Sequence, residues 1–297
     1  MAEPLRPLEA LRTGTRRMSL VTLMYHDVVP GGRWDDSGFP GSAAAHYKLD
    51  DTAFADHLGS LRASGVVFAD PDAVASGRHD GCLLTFDDGG ASASAIGKTL
   101  ARAGIRGCFF ITTARIGTPG FVTAEDLRAL RRDGHLIGSH SHTHPANIST
   151  LDAPALHAEW RRSVDVLEEL LGEPVRTASV PGGFLSPSVR RAAEAAGIRT
   201  LFTSEPTTRP TRGLSCVLLG RYALLRESPA AEAVALATGG GGTRWRQWAK
   251  WNAKKPLKRW AGPVYRFTRA TLLRRRSDAI AEDPPSSARD SAGPPRE

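Results

Sequence analysis

A chain of 297 residues has room for one α/β domain of ordinary size with appendages, and its apolar fraction of 41% supports a buried core over part of that length. The formal charge of +8 is local: residues 244–276 hold twelve Lys/Arg and no acid, and residues 277–297 hold two Arg against five acids, which leaves about −1 for residues 1–243. A nucleic-acid partner would need a basic face on the main domain, and that distribution gives no sign of one. The isolated cysteines Cys82, Cys108 and Cys216 exclude a disulfide framework.

In chain order, residues 20–25 read as a first strand ending in a polar cluster, and the Gly/Ser/Ala-rich residues 30–48 as a long loop. Phe54, Leu58 and Leu61 recur at helical spacing. Strands are predicted at 66–68 and 82–86, then a helix at 92–103, a strand at 108–111, and a helix opened by the Thr123-x-x-Asp126 capping pattern. There follow a strand at 136–138, a helix at 155–171, a strand at 178–180, a helix at 187–196 closed by Gly197, and strands at 199–203 and 217–219. Strands alternating with long helices imply βαβ units and a mostly parallel sheet, and about seven such strands imply a distorted, incompletely closed (β/α)7-type barrel.

In such folds chemistry gathers beyond the carboxyl ends of the strands. Four predicted strands here end in polar clusters: Tyr25-His26-Asp27, Asp87-Asp88-Gly89-Gly90, His140-Ser141-His142-Thr143-His144, and Pro181-Gly182-Gly183. Adjacent side chains on an extended chain point apart, so one of Asp87 and Asp88 can bind a metal while the other faces a reacting atom. Asp-Gly also serves as a plain turn, and Asp as a helix cap. Three histidines in five residues bring His140 and His144 together whether the segment is extended or coiled. Two imidazoles with one carboxylate suit catalytic zinc or non-haem iron.

Together these residues resemble the polysaccharide deacetylases, the carbohydrate esterase family 4 with a NodB homology domain. Thr85-Phe86-Asp87-Asp88-Gly89 matches its Thr-Phe-Asp-Asp-Gly motif, and His140 to His144 matches its His-Ser/Thr-x-x-His motif. The resemblance implies a divalent ion, Zn2+ before Co2+ or others, held by Asp88, His140 and His144, with Asp87 as general base. It implies an N-acetylated glycan as substrate, with an O-acetyl ester as the alternative.

Pro181-Gly182-Gly183 has Gly182 where the family commonly has Tyr, but a backbone N–H near Pro181 and Gly182 can still meet an oxyanion. The strand over 217–219 lacks the family's late histidine, and residues 23–28 resemble the first strand of the permuted poly-N-acetylglucosamine deacetylase branch. That resemblance gives the general-acid role to His26. Asp27 should point to the opposite face.

Four of the six tryptophans lie between Trp245 and Trp260 among Lys and Arg. This segment suits either an anionic membrane surface or packing on the barrel with its charges in water. The start of the chain has no apolar signal-peptide core and no apolar run reaches the roughly 18 residues of a membrane span, so the expected setting is cytoplasmic, peripheral at the inner face of the membrane if residues 244–276 dock there. The expected organisation is an N-terminal extension (1–18), the catalytic domain (19–240), the basic Trp-rich helical segment (241–276) and a disordered tail (277–297). Rival readings are a non-haem iron oxygenase and a catalytically inactive glycan-binding domain. Composition does not define an oligomeric state.

Overall fold

The computed structural model describes residues 19–213 and 215–260, with side chains up to Ala253. The expectations for residues 1–18 and 277–297, and for the segment beyond Trp260, lie outside the described residues. The elements in order are β1 (Val21–Tyr25), β2 (Val28–Val29), α1 (Ser42–Ala45), β3 (Leu49–Asp50), α2 (Asp51–Ala63), α3 (Pro71–Ala75), β4 (Cys82–Phe86), α4 (Ser92–Arg102), β5 (Cys108–Ile111) and α5 (Ala124–Arg132). They continue with β6 (Leu136–Ser139), α6 (Ala153–Leu171), β7 (Thr177–Ser179), α7 (Pro187–Ala195), β8 (Thr200–Phe202), β9 (Thr211–Arg212), β10 (Val217–Leu219), β11 (Tyr222–Ala223), α8 (Ala230–Thr238) and α9 (Thr243–Trp260).

Local chemistry sets several boundaries. Asp50 caps α2, Thr123 and Asp126 form the expected capping box on α5, and Ser186 caps α7. The long helix α6 starts two residues before its predicted position because Asp152 caps it, with Pro154 in its first turn, and it ends at Gly172 in the left-handed conformation. The predicted strand at 66–68 is reduced to a single bridge between Phe68 and Cys82. Helix α8, whose Ala-rich sequence has little polar contrast, was missed.

The main sheet runs β11-β1-β4-β5-β6-β7-β8-β10-β9, parallel throughout except for the edge strand β9. Strands β10 and β11 lie near opposite ends of this order, yet only Gly220 and Arg221 separate them in the chain. The three backbone steps from Leu219 to Tyr222 span at most about 11 Å, so the sheet curls until its edges nearly meet. The result is the expected incompletely closed barrel, with its seam at Gly220–Arg221.

Side chains alternate across the curled sheet. Val21, Leu23 and Tyr25 of β1 and Cys82, Leu84 and Phe86 of β4 pack outward against helices. Leu20, Leu83, Cys108, Phe110, Phe202 and Leu219 fill the barrel interior. Following that alternation, His26 and Asp87 stand on the interior side just past the strand ends. All three cysteines are buried free thiols. Among the described residues no helix is long and apolar enough to cross a membrane.

Candidate active site at the strand ends

The strand-end loops surround a cavity of about 770 Å³, within the range of roughly 300–1,000 Å³ usual for small-ligand sites. His26, Asp87, Asp88, His140, His144 and Gly182 all line it. Asp88 Oδ1 lies 3.4 Å from His140 Nε2 and 3.5 Å from His144 Nε2, and one ligand atom from each residue falls within 4.8 Å of the others. The expected metal set therefore converges.

The backbone is bent to achieve this. Among the described residues, those other than glycine with positive φ are Asp88 (75°), Ser141 (65°) and His144 (57°), all within the two motifs. Each such residue costs roughly 1–3 kcal/mol, which the surrounding structure must offset. At Asp88 the left-handed turn brings into the site a carboxylate that simple alternation would point away from Asp87. Gly90 follows because a Cβ there would lie 2.0 Å from Asp27 Oδ1. In the histidine loop, Glu159 of α6 accepts from the His142 and Thr143 N–H groups at 3.0 and 2.9 Å, and Ser141 Oγ accepts from His144 N at 3.2 Å. His142 itself turns to Thr113, 2.9 Å away, outside the metal set.

His140 is buried, and its Nδ1 faces the Ser179 carbonyl at 3.2 Å and the Ser179 hydroxyl at 2.6 Å. A carbonyl only accepts, so Nδ1 carries the proton and Nε2 presents its lone pair toward Asp88. The Ser179 hydroxyl then donates to Asp87 Oδ1 at 3.2 Å. Burial pushes Asp88 up, but its close contact with His140 and the nearby His26 and His144 outweigh it and hold the carboxyl below its ordinary range. Burial lowers His140, yet Asp87 and Asp88 raise it overall. Burial and the neighbouring His140 pull His144 down to about 4. A carboxylate and two imidazoles whose ligand atoms lie within 4.8 Å of one another fit a divalent cation.

Sequence reading missed the partner of Asp87. Arg221, fully buried at the seam, donates to Asp87 Oδ1 at 2.6 Å and Oδ2 at 2.8 Å, to the Thr203 carbonyl at 3.2 Å and to Thr85 Oγ1 at 3.3 Å. Its guanidinium carbon sits 5.5 Å from the centre of the Phe110 ring. Burial raises the Asp87 carboxyl, and Arg221 first, then His140, bring it below its ordinary value. Asp87 is therefore a carboxylate at neutral pH. A lone charge within Leu218-Leu219-Gly220-Arg221-Tyr222 was the available signal, since a buried Arg needs a buried partner.

His26 packs against Tyr47 with ring centres 4.9 Å apart, and its Nδ1 is buried without a hydrogen-bond partner among the described residues. Asp27 diverges from it as alternation requires, accepting from Ser37 Oγ at 2.6 Å and Ser92 Oγ at 2.8 Å. These bonds, with Lys48 Nζ donating to the carbonyls of Trp34, Ser37 and Phe39, fasten the loop over 30–48 onto the barrel. Pro181 is buried, has no N–H and is not among the residues lining the cavity. The Gly183 N–H is bonded to the Val180 carbonyl at 3.1 Å, so the Gly182 N–H is the candidate donor of this turn.

The α9 segment divides between the two alternatives. Trp251 lines the cavity with Gln247 and Lys250, whereas Trp245 and Trp248 are 67% and 45% exposed.

Fold and site together define an α/β-barrel protein with a two-histidine, one-carboxylate cluster and a separate, arginine-paired carboxylate at its strand ends. Residues 76–201 match the model of the family described as polysaccharide deacetylase. The fold is shared with IcaB from Ammonifex degensii (TM-score 0.61, 23% identity, 74% of this chain and 97% of that one). It is also shared with the Streptococcus pyogenes deacetylase PplD in complex with acetate (TM-score 0.59, 16% identity, 74% and 99%). A gellan lyase from Bacillus sp is 34% identical over 101 residues, 34% of this chain and 4% of that protein. The chain spans less than half the length of the curated relatives it matches.

Proposed function

We propose that the chain removes N-acetyl groups from a carbohydrate by metal-dependent hydrolysis, releasing acetate. The observation that carries this reading is the arrangement on one cavity wall of Asp88, His140 and His144 beside Asp87, which is ionised and held by Arg221. The match of residues 76–201 to the polysaccharide deacetylase model supports deacetylation as the reaction class.

Asp88, His140 and His144 would hold the ion, zinc in the first instance, which supplies Lewis acidity for attack of water on the acetyl carbonyl. Asp87 takes the proton of the attacking water, and Arg221 and Ser179 hold both of its oxygens in place for that transfer. The Gly182 N–H meets the developing oxyanion. His26, at the adjacent strand end on the same cavity, gives a proton to the leaving sugar nitrogen as the C–N bond breaks. An ionised carboxylate that is not needed as a ligand has a task in hydrolysis and none in an iron oxygenase.

The test is acetate release from chitooligosaccharides by full-length protein, with chelator and then with zinc or cobalt restored. Release that depends on the metal is expected. Release only from an acetylated ester selects the O-acetyl reading, and affinity without turnover selects the glycan-binding one.

The outward Trp245 and Trp248, beside exposed Arg246 on a helix that continues through Lys254, Lys255, Lys258 and Arg259, favour contact with an anionic membrane surface. The proposed setting is the cytoplasmic face of that membrane. Sedimentation with phosphatidylglycerol vesicles but not phosphatidylcholine vesicles is the expected result, and equal recovery in the supernatant from both removes this part of the reading.

A further inference from the structure

The inner face of α9 carries a second feature. We infer that Trp251 forms a sugar-binding subsite, a flat apolar platform on which a pyranose ring of the substrate lies next to the metal cluster. This rests on the carbohydrate reading of the site and names the part of the chain that grips the glycan.

Three observations converge on it. The turn after β7 places Gly182 on the cavity wall with Gly183 next to it, and neither offers a side chain. Ser204 and Trp251 share that space: a Cβ built on Gly183 would stand 2.9 Å from Ser204 Cβ and 3.0 Å from Trp251 Cη2. The turn and the ring therefore fit each other closely one residue from the candidate oxyanion donor Gly182, where a Cβ would meet the Phe184 ring at 2.9 Å.

The helix that carries the ring is fastened. Arg244 donates to the Ala237 carbonyl at 2.8 Å and also to that of Leu236, and Gln247 Nε2 donates to the Ala223 carbonyl of β11 at 2.9 Å. Trp251 lies one turn beyond Gln247, so it is presented from a rigid element joined to the barrel seam. A site built on such an element loses little freedom when it binds.

The surroundings also suit a sugar. Trp251 is half-buried, and Phe184 is a second ring on the same wall, with Ser204, Gln247, Lys250 and Glu232 around them. A pyranose has an apolar C–H face and a hydroxyl rim, and aromatic rings framed by polar groups match both. In the sequence Trp251 was one of a row of tryptophans at three-residue spacing; the fold turns Trp245 and Trp248 to solvent and this one to the site.

The test uses the zinc-loaded full-length chain carrying Asp87→Asn to prevent turnover, titrated calorimetrically with tri-N-acetylchitotriose. Adding Trp251→Leu, which keeps apolar bulk but removes the flat ring, should weaken binding about tenfold or more, while Trp251→Phe should stay within about threefold. With Asp87 intact, Trp251→Leu should raise KM by a similar factor and leave kcat within about threefold. Zinc affinity should not change. Equal affinity in the Trp251→Leu and parent chains, or no measurable affinity in the parent, overturns the subsite. A wild-type chain that releases no acetate, together with a Trp251→Leu chain that binds more weakly, overturns the hydrolytic reading and keeps the subsite.

Discussion

Two strand ends of this barrel begin alike and finish differently. Strand β4 runs into Asp87-Asp88, and β1 into His26-Asp27. In both, the first residue continues the strand's alternation and faces the barrel interior. After β4 the second residue adopts a φ of 75° and brings its carboxylate back to the site. After β1 the second residue is not among those with positive φ, and Asp27 leads away to Ser37 and Ser92. One backbone dihedral separates a metal-ligand candidate from a loop anchor.

The sharpest way to break this comparison is at β4. Asp88→Ala should abolish both zinc binding, measured by calorimetry, and acetate release. Asp87→Asn should lower kcat by about 10²–10⁴-fold with zinc still bound. Loss of zinc from Asp87→Asn, or turnover that survives it, would mean the two carboxylates have each other's roles.

Next in size is the support beneath Asp87. Arg221→Met leaves a buried carboxylate without its counter-charge and should cost about 3–5 kcal/mol in urea unfolding. In Arg221→Met/Asp87→Asn the cost should fall well below the sum of the two single costs, because both charges are gone. Additive costs would show that the pair is not coupled.

At β1 the expected effects are smaller and separable. His26→Gln should reduce kcat about 10²-fold with unchanged melting temperature and zinc affinity. Asp27→Asn should do the reverse, retaining chemistry while lowering stability by about 1–3 kcal/mol through its contacts with Ser37 and Ser92.

The smallest effect lies away from both ends, at His135. It is buried, accepts from the Gly107 N–H at 3.1 Å through Nδ1 and meets the Gly97 carbonyl at 3.0 Å through Nε2, so protonation would set two donors against each other. Burial holds it below its ordinary value. Its contribution to stability is therefore complete above about pH 6.5 and disappears as pH falls through the lowered folded value. Melting temperatures at pH 7.5 and 5.0 should differ by about a few degrees, and less in His135→Gln.

Much of this was legible because alternation and strand-end placement are local properties. The positions of β4, β5 and β10, the capping box at Thr123, and the convergence of Asp88, His140 and His144 follow from residues near one another in sequence or from the logic of parallel strands. Arg221 was not legible: its pairing with Asp87 spans 134 residues and depends on how far the sheet curls. Ser179 was hidden in the same way, its role set by the neighbouring strand. The tryptophan row showed that α9 has a special composition, but which tryptophan faces the site depends on how the helix docks, as fixed by Arg244 and Gln247.

The central claim is that Asp88, His140 and His144 bind one divalent cation. Anomalous diffraction at the zinc absorption edge, from crystals of the full-length chain grown with zinc, tests it most directly. A single strong peak enclosed by these three side chains, absent from crystals of His140→Ala, is the predicted result. A peak held by other residues, or unchanged in His140→Ala, would contradict it.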